Sequence, residues 1–257
     1  MHPNWQKRAS QLDHLLDADA QLRFTAELQP YIDEFGPVMR GSPGFRPWNG
    51  LYQAGDAETL YAIVRSLRPR RLIEVGSGFS TYVIAAAAER NGDEGDPVDV
   101  VAFDPEPRIP VEATQAFVQF QRRDCRDVPL EHFEALNAGD VLFIDTSHSV
   151  KLGSEVNWLL LEVLPRLTSG VYVHIHDVFL PYEYPRYLFE LGSYFNEQYL
   201  LQALLTENES WDVALGMAFL FKERRDNLIK IIPALAESVP GLPSLAYVPA
   251  AFWIRRR

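Results

Sequence analysis

From residue 71 onward, short apolar segments alternate with segments of helical periodicity, and this alternation constrains the fold more than any other feature. Strands are predicted at 71–75, 98–103, 117–121, 141–145, 171–175, 211–215 and 251–255. Helices are predicted at 80–90, 130–136, 154–167 and 196–206. Short apolar strands that alternate with helices favour an α/β fold built on a mostly parallel sheet. In such an open sheet, ligands bind where the strands end.

The residues before 71 follow a helical pattern instead. Pro30 should kink or break the first apolar pattern, and Gly36-Pro37 should end it. A later helix is predicted over 57–67, with Asp56 as its N-cap.

Two domains are therefore predicted. Residues 1–70 form a helical extension that includes the loop at 48–52 and acts as a lid. Residues 71–257 form the ligand-binding domain.

Charge and cysteine content narrow the class of partner. The 257 residues carry a formal net charge of −11, which argues against nucleic acid and anionic membrane as main partners because both require a basic surface. Cys125 is the only cysteine, so no disulfide forms within the chain. The N-terminus, MHPNWQKRAS, lacks the apolar core of a signal peptide. We expect a cytoplasmic protein and leave a homodimer open as its assembly.

The first predicted strand ends in the sequence EVGSGFST. Gly76 permits a tight turn, and Gly78 leaves room for a ligand to approach the backbone. Ser80 or Thr81 can cap the next helix. A dinucleotide motif would place glycine at position 81, where this chain has Thr81. The Glu74 carboxylate favours a ligand that carries an ammonium group over one that carries a pyrophosphate.

The second predicted strand ends at Asp104, beyond one helix from the glycine turn. A carboxylate at this position can accept hydrogen bonds from both hydroxyls of a ribose. Glu74 and Asp104 together are more informative than either residue alone.

Titratable residues gather at the ends of the fourth and fifth predicted strands. Asp145 ends the fourth strand, and His148 follows three residues later. In the fifth strand, the two-residue period predicts His174 and His176 on one face and Asp177 on the other. His174 is interpreted as a hydrogen-bonded core histidine, and the other four side chains should converge.

EVGSG and Asp104 resemble the first motif and the ribose-binding acid of the class I S-adenosylmethionine-dependent methyltransferases, and the resemblance covers residues 71–257. It implies their Rossmann-like, seven-stranded, mostly parallel sheet. It also implies that Glu74 and the glycine turn hold the methionine end of the cofactor, that Asp104 holds the ribose, and that Asp124 and Cys125 contact the adenine. The implied cofactor-binding residues are Glu74, Gly76, Ser77, Gly78, Ser80, Asp104, Asp124 and Cys125.

The phrases FIDTSHSVKLGSEVNWLLLEVLPRL, VHIHDVFLPYEYP and FNEQYLLQALL resemble the bacterial methyltransferases of family 24, relatives of small-molecule and sugar O-methyltransferases. That resemblance implies a divalent metal ion held by Asp145 and Asp177. His176 departs from the oxygen-ligand pattern, because imidazole suits transition metals better than magnesium. The alternatives are therefore a metal held by Asp145, His176 and Asp177, and metal-free catalysis with His148 or His176 as the base.

The predicted activity is O-methylation of a small-molecule acceptor, with Asp145 and Asp177 orienting the reacting groups. Tyr182, Glu183 and Tyr184, in the loop FLPYEYPRY, should line the acceptor pocket. A sugar, a phenol or a peptide would all fit as acceptor.

Three other functions are kept open. The first is a nicotinamide-dependent oxidoreductase, against which Glu74 and Thr81 argue. The second is a metallohydrolase built on His174 and His176. The third is a protein that binds S-adenosylmethionine without catalysis.

Overall fold

The structure is a computed structural model that describes residues 10–41, 44–46, 49–236 and 248–257. The described residues form one seven-stranded sheet. Its strands are β1 (Arg71–Val75), β2 (Asp99–Phe103), β3 (Gln119–Gln121), β4 (Val141–Ile144), β5 (Tyr172–Ile175), β6 (Trp211–Gly216) and β7 (Phe252–Arg256). Each lies within one or two residues of its predicted bounds, because short apolar runs between turn residues mark buried strands clearly.

The strand order is β3-β2-β1-β4-β5-β7-β6, and β7 is antiparallel to both of its neighbours. The remaining pairs are parallel. β1 lies between β2 and β4, so Glu74 pairs in register with Ala102 on one side and Phe143 on the other. The carboxyl ends of β1, β4 and β5 therefore meet at one edge of the sheet.

Helices cover the sheet: α1 (Ala18–Glu27), α2 (Gln29–Gly41), α3 (Asp56–Leu67), α4 (Phe79–Asp93), α5 (Leu130–Glu134), α6 (Glu155–Trp158), α7 (Arg186–Glu190), α8 (Glu197–Leu205), α9 (Met217–Glu223) and α10 (Arg225–Ile231). The prediction of one helix over 154–167 is wrong in detail. After α6 the backbone continues as a π-helix at Leu159–Val163 and a 3-10 helix at Leu164–Arg166. Pro165 lacks an N–H for the regular helix ladder, which accounts for the irregular end.

Pro30 and Pro37 have different effects on the N-terminal helices. The break expected near Pro30 falls between α1 and α2, and Pro30 lies in the first turn of α2, where proline is tolerated. The stop predicted at Gly36-Pro37 is wrong, because α2 continues to Gly41 with Pro37 inside it. Ile32, Phe35 and Met39 form one buried face through this segment, and their burial outweighs the lost backbone hydrogen bond.

The start of α3 also differs from the prediction. Gly55, with a φ of +89°, is the N-cap, and Asp56 is the first helical residue. The Asp56 carboxylate instead accepts hydrogen bonds from the backbone N–H groups of Ala250 (2.9 Å) and Ala251 (2.8 Å) at the start of β7. These hydrogen bonds join α3 to the start of β7.

The N-terminal helices share a hydrophobic core with the sheet. Leu60 and Val64 of α3 pack in one cluster with Val83 of α4 and Phe143 of β4. The predicted boundary between residues 70 and 71 stays a prediction. Trp48, in the predicted lid loop, lies outside the described residues.

Within the described ranges, no helix combines the length and apolar character that a membrane crossing requires.

Candidate active site

Glu74 lies at the end of the central strand and is fully buried. Ser80 Oγ donates a hydrogen bond to Glu74 Oε1 at 2.8 Å, whereas Glu74 Oε2 has no hydrogen-bond partner among the described residues. Burial raises the pKa of Glu74 to about 8, against the opposing effect of the Ser80 hydroxyl. A buried carboxylate oxygen without a partner is costly, so this oxygen is available for a donor that comes from a ligand.

The two glycines of the turn after β1 meet different requirements. Gly76 has a φ of +83°, and a Cβ there would lie 1.8 Å from the carbonyl oxygen of Asp145. The sheet itself therefore requires glycine at position 76. Gly78 has extended backbone, and a Cβ there would meet nothing within 4 Å. Gly78 faces open space, as a residue beside a ligand should.

The cap of α4 is assigned differently from the prediction. Gly78 is the N-cap, and Thr81 Oγ1 accepts a hydrogen bond from the Gly78 N–H at 3.1 Å. Ser80 is not the cap, because its hydroxyl is used to hold Glu74. Direct contact of Ser80 with a cofactor stays a prediction.

Asp104 follows β2 and is already engaged in hydrogen bonds. Its Oδ2 accepts from the Ser77 N–H and the Ser77 hydroxyl, both at 2.8 Å, and its Oδ1 accepts from the Glu106 N–H at 2.7 Å. Asp104 thus joins the end of β2 to the turn after β1. We name Glu74, Ser77, Ser80 and Asp104 with the two glycines the first-strand turn.

Asp124 and Cys125 lie beyond β3. Asp124 caps the short helix Cys125–Asp127 by accepting from the Arg126 N–H at 2.9 Å, and it forms an ion pair with the Arg126 guanidinium. Cys125 packs in the hydrophobic core, and burial raises the pKa of its thiol to about 12. The thiol is therefore unreactive, and the adenine contact expected of both residues stays a prediction.

Asp145, His148, His176 and Asp177 come together as predicted. His148 Nε2 lies 3.3 Å from Asp145 Oδ1 and 3.4 Å from Asp177 Oδ2. His176 Nδ1 lies 3.5 Å from Asp145 Oδ2 and 3.8 Å from Asp177 Oδ2. The expectation that Asp177 points away is wrong, because β5 ends at Ile175 and Asp177 has a φ of +54°, which interrupts the alternation of the strand.

Two carboxylates complete this group and were not predicted. Glu197 Oε1, at the start of α8, lies 3.4 Å from His148 Nδ1, and Asp56 Oδ2 lies 3.4 Å from His176 Nε2. Asp56 was interpreted only as a helix cap, and no local signal distinguishes Glu197 from an ordinary acid at a helix N-terminus. We name the six residues the histidine–carboxylate cluster: Asp56, Asp145, His148, His176, Asp177 and Glu197.

The cluster is ordered by depth. The side chains of Asp145 and Asp177 are 29% and 25% exposed, whereas those of His148 and His176 are 8% and 4% exposed. A molecule entering from solvent therefore meets the two aspartates first and the imidazoles behind them. The ring of Tyr52, the last residue of the predicted lid loop, packs against His176 with 4.7 Å between the ring centroids.

Electrostatic contacts within the cluster favour the charged forms. Burial opposes charge on His148 and His176, but the surrounding carboxylates raise both pKa values well above the usual value for histidine. The two imidazoles in turn lower the pKa of Asp145, again against the effect of burial. Burial raises the pKa of Glu197, and His148 opposes that rise. The resting site thus favours imidazolium groups beside an ionised Asp145.

His174 lies outside the cluster's ion pairs. It is fully buried and stacks on Phe143 with 4.4 Å between the ring centroids, and burial lowers its pKa well below the usual value. It shares a face with His176, as predicted. It is not the hydrogen-bonded histidine that was expected, because neither ring nitrogen has a hydrogen-bond partner among the described residues.

The predicted acceptor loop packs beside α8 and α9. Tyr182 is half-buried, and its hydroxyl donates to Glu223 Oε1 at 2.6 Å. Glu183 Oε1 accepts from the Tyr199 hydroxyl at 2.5 Å, and Tyr184 is buried in a small core with Phe179. Their contact with an acceptor stays a prediction.

The residues predicted to bind a metal do not fit one as they are arranged. Among the described residues, no group of three or more His, Cys, Asp or Glu side chains is placed to hold a metal ion. The donor atoms of Asp145 and Asp177 face His176 Nδ1, and the other nitrogen of His176 faces Asp56. These atoms are therefore directed at one another.

Residues 73–178 match a protein-family model described as a methyltransferase domain, that of methyltransferase family 24. The match includes the last three residues of β1, the first-strand turn and the ends of β4 and β5. Residues 73–178 are therefore similar to methyltransferase family 24, and the seven-stranded, mostly parallel sheet is the one that the resemblance implied. No curated protein is significantly similar to the sequence.

Several solved structures are similar to this chain. An O-methyltransferase from Bacillus cereus in complex with SAH has 12% identity and a TM-score of 0.47, with 96% of this chain and 94% of that chain covered. Cofactor-bound Rv0187 from MTB has 15% identity and a TM-score of 0.49, covering 89% and 90%. CmcI-N160 without ligand has 17% identity and a TM-score of 0.41, covering 67% and 69%. With TM-scores below 0.5, these similarities assign no activity to this chain.

Proposed function

We propose that this protein is an S-adenosylmethionine-dependent methyltransferase that methylates a hydroxyl group of a small molecule, such as a sugar, a phenol or another natural product. One observation supports the proposal most: the buried, unpartnered Glu74 Oε2 beside the open space at Gly78. An ammonium group such as that of the cofactor's methionine end would supply the missing donor.

The residues of the first-strand turn fit this cofactor. Glu74 would bind the ammonium group, and Asp104 would bind the ribose once its carboxylate exchanges the Ser77 hydroxyl for a ribose hydroxyl. Asp124 and Cys125, which follow β3 in the chain, would contact the adenine. When bound, S-adenosylmethionine supplies a methyl carbon that an acceptor oxygen attacks while the carbon–sulfur bond breaks, leaving S-adenosylhomocysteine.

The histidine–carboxylate cluster fits the acceptor side of the reaction. Asp145 and Asp177 are the more exposed groups, and they would orient the acceptor hydroxyl. His148 or His176 would take the hydroxyl proton as the new oxygen–carbon bond forms. The base must be unprotonated to do so, although its surroundings favour the imidazolium form. After proton transfer, the carboxylates around each imidazole compensate the positive charge of the imidazolium.

Tyr182, Glu183 and Tyr184 would line one side of the acceptor pocket. Tyr187, in the same region, is half-buried, and burial with the nearby Asp177 and Asp56 charges raises its pKa. A small acceptor suits these surroundings, and the net charge of −11 disfavours nucleic acid. We propose a cytoplasmic protein that works without a nucleic-acid or membrane partner.

The direct test is transfer of an isotopically labelled methyl group from S-adenosylmethionine to representative sugars, phenols and peptides. We expect labelled ether product from at least one class, and loss of product in Asp145→Asn. Glu131→Gln is the matched control, because Glu131 is exposed on α5 away from the site.

Other outcomes would contradict the proposal in distinct ways. Binding of S-adenosylhomocysteine without transfer to any acceptor would indicate a non-catalytic binding protein. Binding of a nicotinamide cofactor in its place would indicate an oxidoreductase.

A further inference from the structure

Three consecutive residues at the start of α8 contact the loop that carries His148. The Phe195 ring packs on the His148 ring with 4.4 Å between centroids. The Asn196 N–H donates to the His148 carbonyl oxygen at 3.0 Å, and Asn196 Oδ1 accepts from the Val150 N–H at 2.5 Å. Glu197 then places its carboxylate 3.4 Å from His148 Nδ1. These residues therefore contact the ring face, the backbone carbonyl oxygen and the Nδ1 atom of His148.

The backbone of His148 requires this support. Its φ of +54° lies in the left-handed region, which residues with a Cβ seldom adopt. Such a conformation persists where surrounding contacts fix it. The contacts from Phe195, Asn196 and Glu197 account for the persistence here.

Glu197 has no other evident reason to be buried. Its side chain is 1% exposed, and neither oxygen has a hydrogen-bond partner among the described residues. Asp56, the carboxylate beside His176, differs from Glu197. It also accepts hydrogen bonds from the backbone N–H groups of Ala250 and Ala251 and so joins α3 to β7. A buried carboxylate is retained where a cationic partner compensates it, and His148 is that partner.

The orientation of His148 follows from these contacts. With Nδ1 toward Glu197, the ring directs Nε2 toward Asp145 and Asp177, the two most exposed groups of the cluster. In a neutral imidazole, one ring nitrogen carries hydrogen and donates, which leaves the other nitrogen free to accept a proton. The same helix start also holds the acceptor loop, since the Phe179 N–H donates to Gln198 Oε1 at 3.0 Å.

We infer that Glu197 is a positioning residue: it holds hydrogen on His148 Nδ1 and so directs His148 Nε2 to the acceptor. The inference rests on the proposed function, in which a histidine takes the hydroxyl proton. That proton goes to Nε2 while the acceptor oxygen forms its bond to the methyl carbon and the carbon–sulfur electrons remain on sulfur. Glu197 itself touches neither substrate.

Kinetics of Glu197→Gln and Glu197→Asp test the role. Glutamine keeps the shape but can donate its amide N–H to Nδ1, which would favour the wrong tautomer. We expect kcat to fall about 100-fold or more in Glu197→Gln, with the KM for S-adenosylmethionine unchanged. In Glu197→Asp, which keeps the carboxylate, kcat should be at least about tenfold higher than in Glu197→Gln. Glu209→Gln, an exposed acid beyond α8, is the control.

A spectroscopic measurement on the intact protein keeps the test independent of activity and of variant folding. Long-range ¹H–¹⁵N NMR of ¹⁵N-histidine-labelled protein bound to S-adenosylhomocysteine, recorded over a pH series that reaches the neutral form of His148, reports which ring nitrogen of the neutral imidazole carries hydrogen, and His148→Gln identifies the His148 signals. We expect hydrogen on Nδ1. An Nδ1 without hydrogen, or a Glu197→Gln kcat within about threefold of wild type, would overturn the inference. A wild-type protein that transfers no methyl group refutes the proposed function instead, and the NMR result still decides the orientation of His148.

Discussion

The first-strand turn and the histidine–carboxylate cluster lie at the same edge of the sheet but are built differently. The first-strand turn comes from residues 74–80 and Asp104, and normal hydrogen bonds satisfy all but one of its carboxylate oxygens. The cluster comes from four distant parts of the chain, and its imidazole and carboxylate groups face one another at 3.3–3.8 Å. One region is a local turn with a single open acceptor, and the other is an assembly of charges.

This difference indicates a division of labour. A local turn with one unpartnered acceptor suits a fixed ligand group that recurs unchanged, such as an ammonium group. Charges supplied by separate elements suit proton transfer and a variable acceptor, because each element can change without altering the first-strand turn. Cofactor binding and turnover should therefore respond to different substitutions.

Removal of both cluster histidines should have the largest effect on activity. In the double variant with His148→Ala and His176→Ala, we expect kcat to fall by about 10²–10⁴-fold because no base remains. S-adenosylhomocysteine should bind as tightly as to wild type, as measured by calorimetry. Unchanged turnover would show that neither histidine is the base.

Alanine at the two turn glycines should separate fold from ligand binding. Gly76→Ala should lower the free energy of unfolding by about 3 kcal/mol or more, because of its positive φ and the close Asp145 carbonyl. Gly78→Ala should change it by less than about 1 kcal/mol but weaken cofactor binding, since its methyl group enters open space. Chemical denaturation measures both. Equal stabilities would contradict the distinction between the two glycines.

Turnover should rise with pH above neutrality. The carboxylates of the cluster raise the pKa of His148 and His176, so the unprotonated base becomes more abundant as pH increases toward those raised values. With both substrates saturating, kcat should increase up to about tenfold per pH unit until the base is fully unprotonated. The measurement is kcat at intervals of about one pH unit from pH 6 to pH 9. A kcat that falls steadily over this range would be incompatible with a histidine base.

Glu74 should affect stability in a pH-dependent way. Its pKa is about 8 in the folded protein and near 4.5 in the unfolded chain, so the folded state holds the extra proton between these values. The stabilisation from Glu74 is complete below pH 4.5 and is lost as pH rises toward 8, with a slope of at most about 1.4 kcal/mol per pH unit. Glu74→Gln should remove this part of the profile, as denaturation at several pH values measures. Parallel profiles for the two proteins would contradict the assignment.

The two regions also differ in how far the sequence predicts them. Glu74, Gly76 and Asp104 lie next to strands that alternation and apolar character identify, so the sheet and the first-strand turn could be predicted. The meeting of Asp145 with His176 also followed from parallel strand order. Asp56 and Glu197 could not be predicted, because their partners lie 120 and 49 residues away and only packing of α3 and α8 brings them together. The left-handed backbone of Asp177 is likewise set by its surroundings.

The most direct test of the role of Glu74 is a calorimetric titration with S-adenosylhomocysteine near pH 8, comparing wild type, Glu74→Gln and the exposed control Glu131→Gln. We expect saturable binding to wild type and the control, and roughly 10- to 100-fold weaker binding to Glu74→Gln, since loss of a charged hydrogen bond costs about 1.5–3 kcal/mol. Equal affinity of all three proteins, or no binding to wild type, would contradict this role.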